Sequence, residues 1–188
     1  MQYYTYKRFR LDRAPFNTRL LITCFYAVMV LAVGVGILNY RVRTGLTPEG
    51  TAQWYRGNEE ATGEARELLF PKTVRELLDV THPHLFEGGI ILFVLSHLFG
   101  LTKVRERRKR AVYLLSFSAF LLDTGMPWLT RFVSPAFAPV HVASTALLGT
   151  MYVVLIAVPL YEMWWAFDKE EHYDWAHPAP EEDRRAGR

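Results

Sequence analysis

Six histidines are the residues of this sequence best suited to chemistry: His82, His84, His97, His141, His172 and His177. A neutral imidazole ligates metal ions and haem iron, and it exchanges protons near neutral pH. The single cysteine, Cys24, excludes an internal disulfide and a cysteine-based zinc or iron–sulfur site. The sequence has no Gly-rich phosphate loop and no nucleophile elbow, which argues against a nucleotide-dependent enzyme or a serine hydrolase.

Four apolar runs determine where these histidines lie. The runs cover about residues 20–40, 85–102, 111–132 and 141–165, and each is long enough to cross the bilayer as a helix. They contain only three acidic residues, Glu87, Asp123 and Glu162. This segregation predicts an all-α integral membrane protein, a four-helix up-down bundle, rather than a soluble protein with buried helices. Its net charge of +3 argues against a nucleic-acid partner.

Lys and Arg in the short segments orient this bundle. The N-terminal segment 1–19 has five basic residues against one acid, and the loop 103–110 has six against one. Both are predicted to be cytoplasmic, as is the tail 167–188 after an even number of spans. The outer loop 41–84 balances six basic residues with seven acids and is predicted to face outwards. We therefore expect a bacterial inner-membrane protein with both termini in the cytoplasm and a membrane domain over residues 20–166.

The outer loop contains two helix signals. Thr47 and Pro48 have the types of an N-cap and a first helical residue. Thr73 and Glu76 have the spacing of a capping box, and apolar residues follow at helical spacing. The second signal predicts a short amphipathic helix lying along the membrane surface.

His84 and His141 begin the second and fourth spans, which run in the same direction. The two residues are therefore predicted to lie at the same depth near the outer face. In an up-down bundle these helices are diagonal partners, and two such imidazoles can clamp one haem b between them. Gly88 and Gly149, one and two turns below these histidines, would clear space for it, and Arg131 would pair with a propionate.

Simpler roles remain open for these residues. Small residues also allow close helix packing, and interfacial histidines also bond lipid headgroups or backbone. His82 precedes Pro83, a position that disfavours helical geometry, so His84 is the preferred ligand. His82 would then bond a propionate or donate to a quinol, or it would form an outward metal site with His84.

Two further ionisable residues lie within the spans. His97 lies about 20 Å below His84 at about 1.5 Å per residue, and the fourth span offers no histidine at that depth. It is a candidate ligand of a second haem, a hydrogen-bond partner of a quinone, or a polar contact in the core. Asp123, near Gly125 and Pro127, either satisfies freed backbone amides or acts as a proton-relay or quinone-site carboxylate.

The segments Thr81–Phe86 and Ser96–Phe99, together with His141, resemble a four-helix b-type cytochrome membrane subunit over about residues 20–166. The resemblance implies haem b on membrane helices and electron transfer between a quinone pool and a partner redox protein. A second histidine on the fourth helix is missing, as is the Cys-x-x-Cys-His pattern of covalent haem. We therefore expect a cytochrome b subunit that binds other membrane or peripheral redox subunits. The alternative is a haem-free subunit that anchors a larger membrane complex.

Overall fold

The computed structural model describes residues 10–58 and 68–166, and within these ranges every regular element is helical. The α-helices are α1 (Phe16–Thr44), α2 (Pro48–Arg56), α3 (Val74–Pro83), α4 (Gly89–Gly100), α5 (Glu106–Phe132) and α6 (Ala138–Trp164). Short 3-10 turns cover Leu11–Arg13 and Pro135–Phe137, and a π-helical turn at His84–Gly88 joins α3 to α4. The predictions for residues 1–9 and 167–188, including His172 and His177, lie outside the described residues.

Four helical stretches are long and apolar enough to cross a membrane. They are Phe16–Thr44, Val74–Gly100, Glu106–Phe132 and Pro135–Trp164, of 27 to 30 residues each. At about 1.5 Å per residue each is longer than the ~30 Å hydrocarbon core, so their polar ends extend into the headgroup layers. The predicted all-α membrane fold with four transmembrane helices is confirmed, and the protein is an integral membrane protein in contact with lipid. The predicted orientation places the α2 end of the bundle outside, and the two ends are named outer and inner accordingly.

Both helix signals of the outer loop are confirmed. Thr47 is the N-cap of α2, and its hydroxyl accepts a hydrogen bond from the Gly50 amide at 3.0 Å. Thr73 caps α3 in a complete capping box, in which Glu76 accepts from the Thr73 amide at 2.8 Å. However, α3 does not remain a separate surface helix. It continues through the π-helical turn into α4, and the three together form the second span.

This continuity corrects the prediction that His82 lies outside the helix. Pro83 is inside a helix, and His82 precedes it within α3. A proline normally removes a backbone hydrogen bond and crowds the preceding turn. The wide turn at His84–Gly88 follows Pro83 directly, and such turns are a known way for a helix to absorb a local irregularity. His82 and His84 are therefore both helical residues.

The core lies where α4, α5 and α6 meet. Leu92, Leu95 and Phe99 of α4 are buried there with Ala119 of α5 and Leu155 of α6. The α5–α6 hairpin forms the most extensive helix pair, while α1 packs mainly against α2 and α6. Most of α1 therefore remains open to lipid or to another protein.

A charged cluster closes the inner end. Asp12 is almost fully buried and forms ion pairs with Arg10 at 3.2 Å and Lys103 at 2.8 Å. Both carboxylate oxygens of Glu162 accept hydrogen bonds from the Lys103 amide, at 2.9 and 2.7 Å. These contacts join the turn before α1, the loop after α4 and the end of α6.

Candidate functional site

Helix α2 covers the outer end of the bundle, where it packs on α1, α5 and α6. Arg56, in its last turn, donates to the carbonyl oxygens of Thr130 and Arg131 at 3.3 and 3.2 Å. These carbonyls belong to the last turn of α5, whose dipole favours a nearby cation. The guanidinium of Arg56 therefore ties α2 to α5.

Trp54 provides a second attachment of α2. The guanidinium of Arg43 lies 5.2 Å from the centre of its indole, and the ammonium of Lys72 lies 4.5 Å away. Arg131, predicted to pair with a haem propionate, donates from Nε to the Lys72 carbonyl at 2.7 Å. In this structure Arg131 thus holds the outer loop against the bundle.

His141 lies directly beneath α2. It is 4% exposed, and its ring is flanked by Tyr40 of α1 and Tyr55 of α2 at centroid distances of 5.7 and 5.6 Å. Its Nε2 lies 3.7 Å from Oδ1 of Asp123, on α5. Its Nδ1 is buried and has no hydrogen-bond partner among the described residues. Side chains from α1, α2 and α5 thus surround one imidazole of α6 that has an unused nitrogen.

Asp123 forms the other half of this site. Its Oδ1 accepts a short hydrogen bond from the Thr145 hydroxyl, one turn below His141 on α6. Its side chain is 25% exposed, whereas that of His141 is 5% exposed. No hydrogen bond joins the carboxylate to the amides near Pro127, so within the described residues Asp123 acts between helices. A carboxylate beside an imidazole at membrane depth is an arrangement that can hold or pass a proton.

Tyr55 adds a neutral hydroxyl to this site. Burial raises the pKa of Tyr55 most, nearby Tyr40 and Asp123 raise it further, and Arg43 partly offsets them. The phenol therefore keeps its proton throughout the physiological range. It can donate a hydrogen bond, and in the described part of the chain no residue accepts one from it.

His84 and His141 have different surroundings in the structure. His84 is exposed, and its Nδ1 is 2.9 Å from the Val80 carbonyl oxygen. No hydrogen bond or ring contact joins the two histidines in the described ranges. The space predicted at Gly88 is also filled, because a Cβ atom there would lie 2.6 Å from the ring of Phe120. By contrast, a Cβ atom at Gly149 would meet no atom within 4 Å.

The other predicted histidines also lie on the surface. His82 is exposed, and His97 is exposed with its ring stacked on Phe93 at 6.3 Å. Residues 10–58 and 68–166 contain no group of three or more His, Cys, Asp or Glu side chains that could hold a metal ion. His84 is thus exposed, His141 is enclosed by Tyr40, Tyr55 and Asp123, and Phe120 lies against Gly88.

Tyr40, Tyr55 and Thr145 were missed at the level of sequence. Thr145 follows His141 by four residues, which places both on one face of α6, and this spacing could have identified it. The two tyrosines carry no such signal, because Tyr55 reaches the site only when α2 folds back over the bundle, and Tyr40 only through the packing of α1 against α6.

Comparison with known proteins supplies the family. A family model described as a transmembrane helical domain, Aq_1264_TM, matches residues 45–171. This chain belongs to the Aq_1264_TM family. The match begins just after α1 and contains α2 to α6, and therefore all of the site except Tyr40. No curated protein and no solved structure matches this Aq_1264_TM protein.

Proposed function

We propose that this Aq_1264_TM protein is a haem-free subunit that anchors a larger complex in the membrane. The observation that carries the proposal is a stripe on the second span. Phe86, Ile90 and Phe93 are 70%, 52% and 65% exposed, and His97 continues the same face at helical spacing. An apolar stripe alone would suit lipid, but an imidazole within a span is costly to leave in lipid. A partner helix with a polar side chain opposite His97 would satisfy it.

The exposure of α1 supports the same proposal. Leu21 and Leu31 are 71% and 69% exposed, and only the face towards α2 and α6 is covered. A span that packs so little within its own chain has a large surface for other subunits. The proposed location is a bacterial inner membrane, with both termini cytoplasmic and α2 outside.

Site-specific photocrosslinking in native membranes tests this anchor function. A photoreactive amino acid at Phe93 should yield a discrete protein adduct. The same group at Leu114, which is 71% exposed on α5, serves as the control and should label lipid. If both positions label only lipid, the second span has no protein partner and the proposal fails.

A b-type cytochrome is the second candidate, and one observation favours it. Nδ1 of His84 bonds the Val80 carbonyl, which leaves Nε2 of the exposed ring available as a ligand. Histidines that ligate metals commonly have their other ring nitrogen bonded to a carbonyl in this way. Such a haem would lie between this chain and another subunit. It would transfer electrons between the quinone pool and a partner redox protein. In that case His84→Ala would lower the haem content of the isolated complex, whereas His141→Phe would leave it unchanged.

A further inference from the structure

Three polar groups at the outer end of the bundle have unused hydrogen-bonding capacity. They are the buried Nδ1 of His141, the hydroxyl of Tyr55 and Oδ2 of Asp123, none of which bonds any described residue. Of the three, Nδ1 of His141 is the buried atom without a partner. Buried polar groups are normally hydrogen-bonded, because an unmade bond in a low-dielectric interior is costly. A few converging polar groups within apolar walls are typical of a small-molecule site.

The site is closed towards the outer end and open towards the bilayer. Helix α2 lies over His141, which leaves the partly exposed side chain of Asp123 as the accessible edge. On α5, Leu121 and Leu122 directly precede Asp123 and are 61% and 42% exposed. Helix α1 packs against α2 and α6 more than against α5, so it does not seal this side. A molecule dissolved in the membrane therefore reaches the site more directly than one in water.

One face of α6 extends from the site towards the bilayer centre. His141, Thr145, Gly149 and Tyr152 follow one another at intervals of four, four and three residues, which places them on one helix face. At Gly149 the absence of a side chain leaves open space, since an added Cβ atom would meet nothing within 4 Å. Open space on this face therefore begins at Gly149, two turns below His141.

We propose that this site binds the headgroup of a membrane quinone or quinol, with its isoprenoid tail along α6 over Gly149. His141 and Tyr55 donate to the ring oxygens of the quinone, and Asp123 accepts from a hydroxyl of the quinol. A phospholipid headgroup fits less well, because its phosphate would face the Asp123 carboxylate. A metal ion fits less well too, because among the described residues no group of three or more His, Cys, Asp or Glu side chains forms here.

Quinone titration of the full-length chain in nanodiscs tests the headgroup contacts. A ubiquinone and a menaquinone with decyl tails, together with their tail-less headgroups, are the probes, and quenching of tryptophan fluorescence is the readout. His141→Phe and Asp123→Asn should each weaken binding roughly tenfold, equivalent to about 1.4 kcal/mol. Tyr55→Phe removes a single hydroxyl from a site that stays packed, and it should weaken binding several-fold even if the other variants fold poorly.

Gly149→Leu tests the path of the tail. It should weaken binding of the decyl quinones at least tenfold while leaving the tail-less headgroups unaffected. Gly89→Leu is the matched control, because Gly89 also has open space around it but lies on α4, and it should change neither affinity. Unchanged decyl-quinone affinity in Gly149→Leu, or in Tyr55→Phe, would overturn the proposal. This result is independent of the anchor function, which photocrosslinking at Phe93 tests separately.

Discussion

Gly88→Ala should destabilise the protein because Phe120 occupies the space beside Gly88. An added Cβ atom would lie 2.6 Å from Cε2 and 2.9 Å from Cζ of the Phe120 ring. Phe120 is only 7% exposed, so the ring has little room to move away. Overpacking of this kind costs about 1–3 kcal/mol. At roughly 2–4 °C per kcal/mol for a chain of this size, Tm in detergent should fall by about 2–12 °C.

A double variant separates this contact from a general helix effect. In the Gly88→Ala background, Phe120→Leu should recover most of the lost Tm, because the smaller side chain vacates the space that the methyl group needs. Gly89→Ala is the control and should not lower Tm, since nothing lies within 4 Å of the added atom. If Gly88→Ala is as stable as the wild type, or if Phe120→Leu fails to rescue it, the packing of the second span on α5 is wrong.

Two further predictions concern the outer loop and the orientation. Thr73→Ala breaks the capping box of α3 and should lower the free energy of unfolding by about 1 kcal/mol, which a lower Tm would show. Thr150→Ala on α6 is the control and should lower Tm less. An equal fall in Tm for both variants would contradict the cap. In a Cys24→Ser background, an impermeant thiol reagent applied to intact cells should label Glu49→Cys on α2 but not Arg107→Cys on α5. The reverse labelling would place α2 and His141 on the cytoplasmic side.

The sequence predicted those parts of the fold that depend on local composition. Four apolar runs predicted the four spans, and the spacing of Thr73 and Glu76 predicted the start of α3. Pro83 was misinterpreted, because its usual effect on the preceding residue was absorbed by the π-helical turn that follows it. A wide turn of this kind has no simple sequence signal.

The candidate site was predicted only in part. His141 and Asp123 were both singled out, but no sequence pattern indicated that they face each other. Side-chain pairing between two helices depends on how each is rotated about its axis, and packing sets that rotation. For His84, the sequence predicts a position along the second span but not the exposure of the side chain, which depends on how that span packs against the other helices.

One measurement tests most directly whether the histidines of this chain clamp a haem. It is the visible absorption spectrum of the purified full-length chain before and after reduction. In this structure His84 is exposed and His141 is enclosed by Tyr40, Tyr55 and Asp123. We therefore expect a colourless protein without a Soret band. A stoichiometric low-spin haem in the isolated chain, lost in both His84→Ala and His141→Ala, would contradict this account and restore the diagonal clamp.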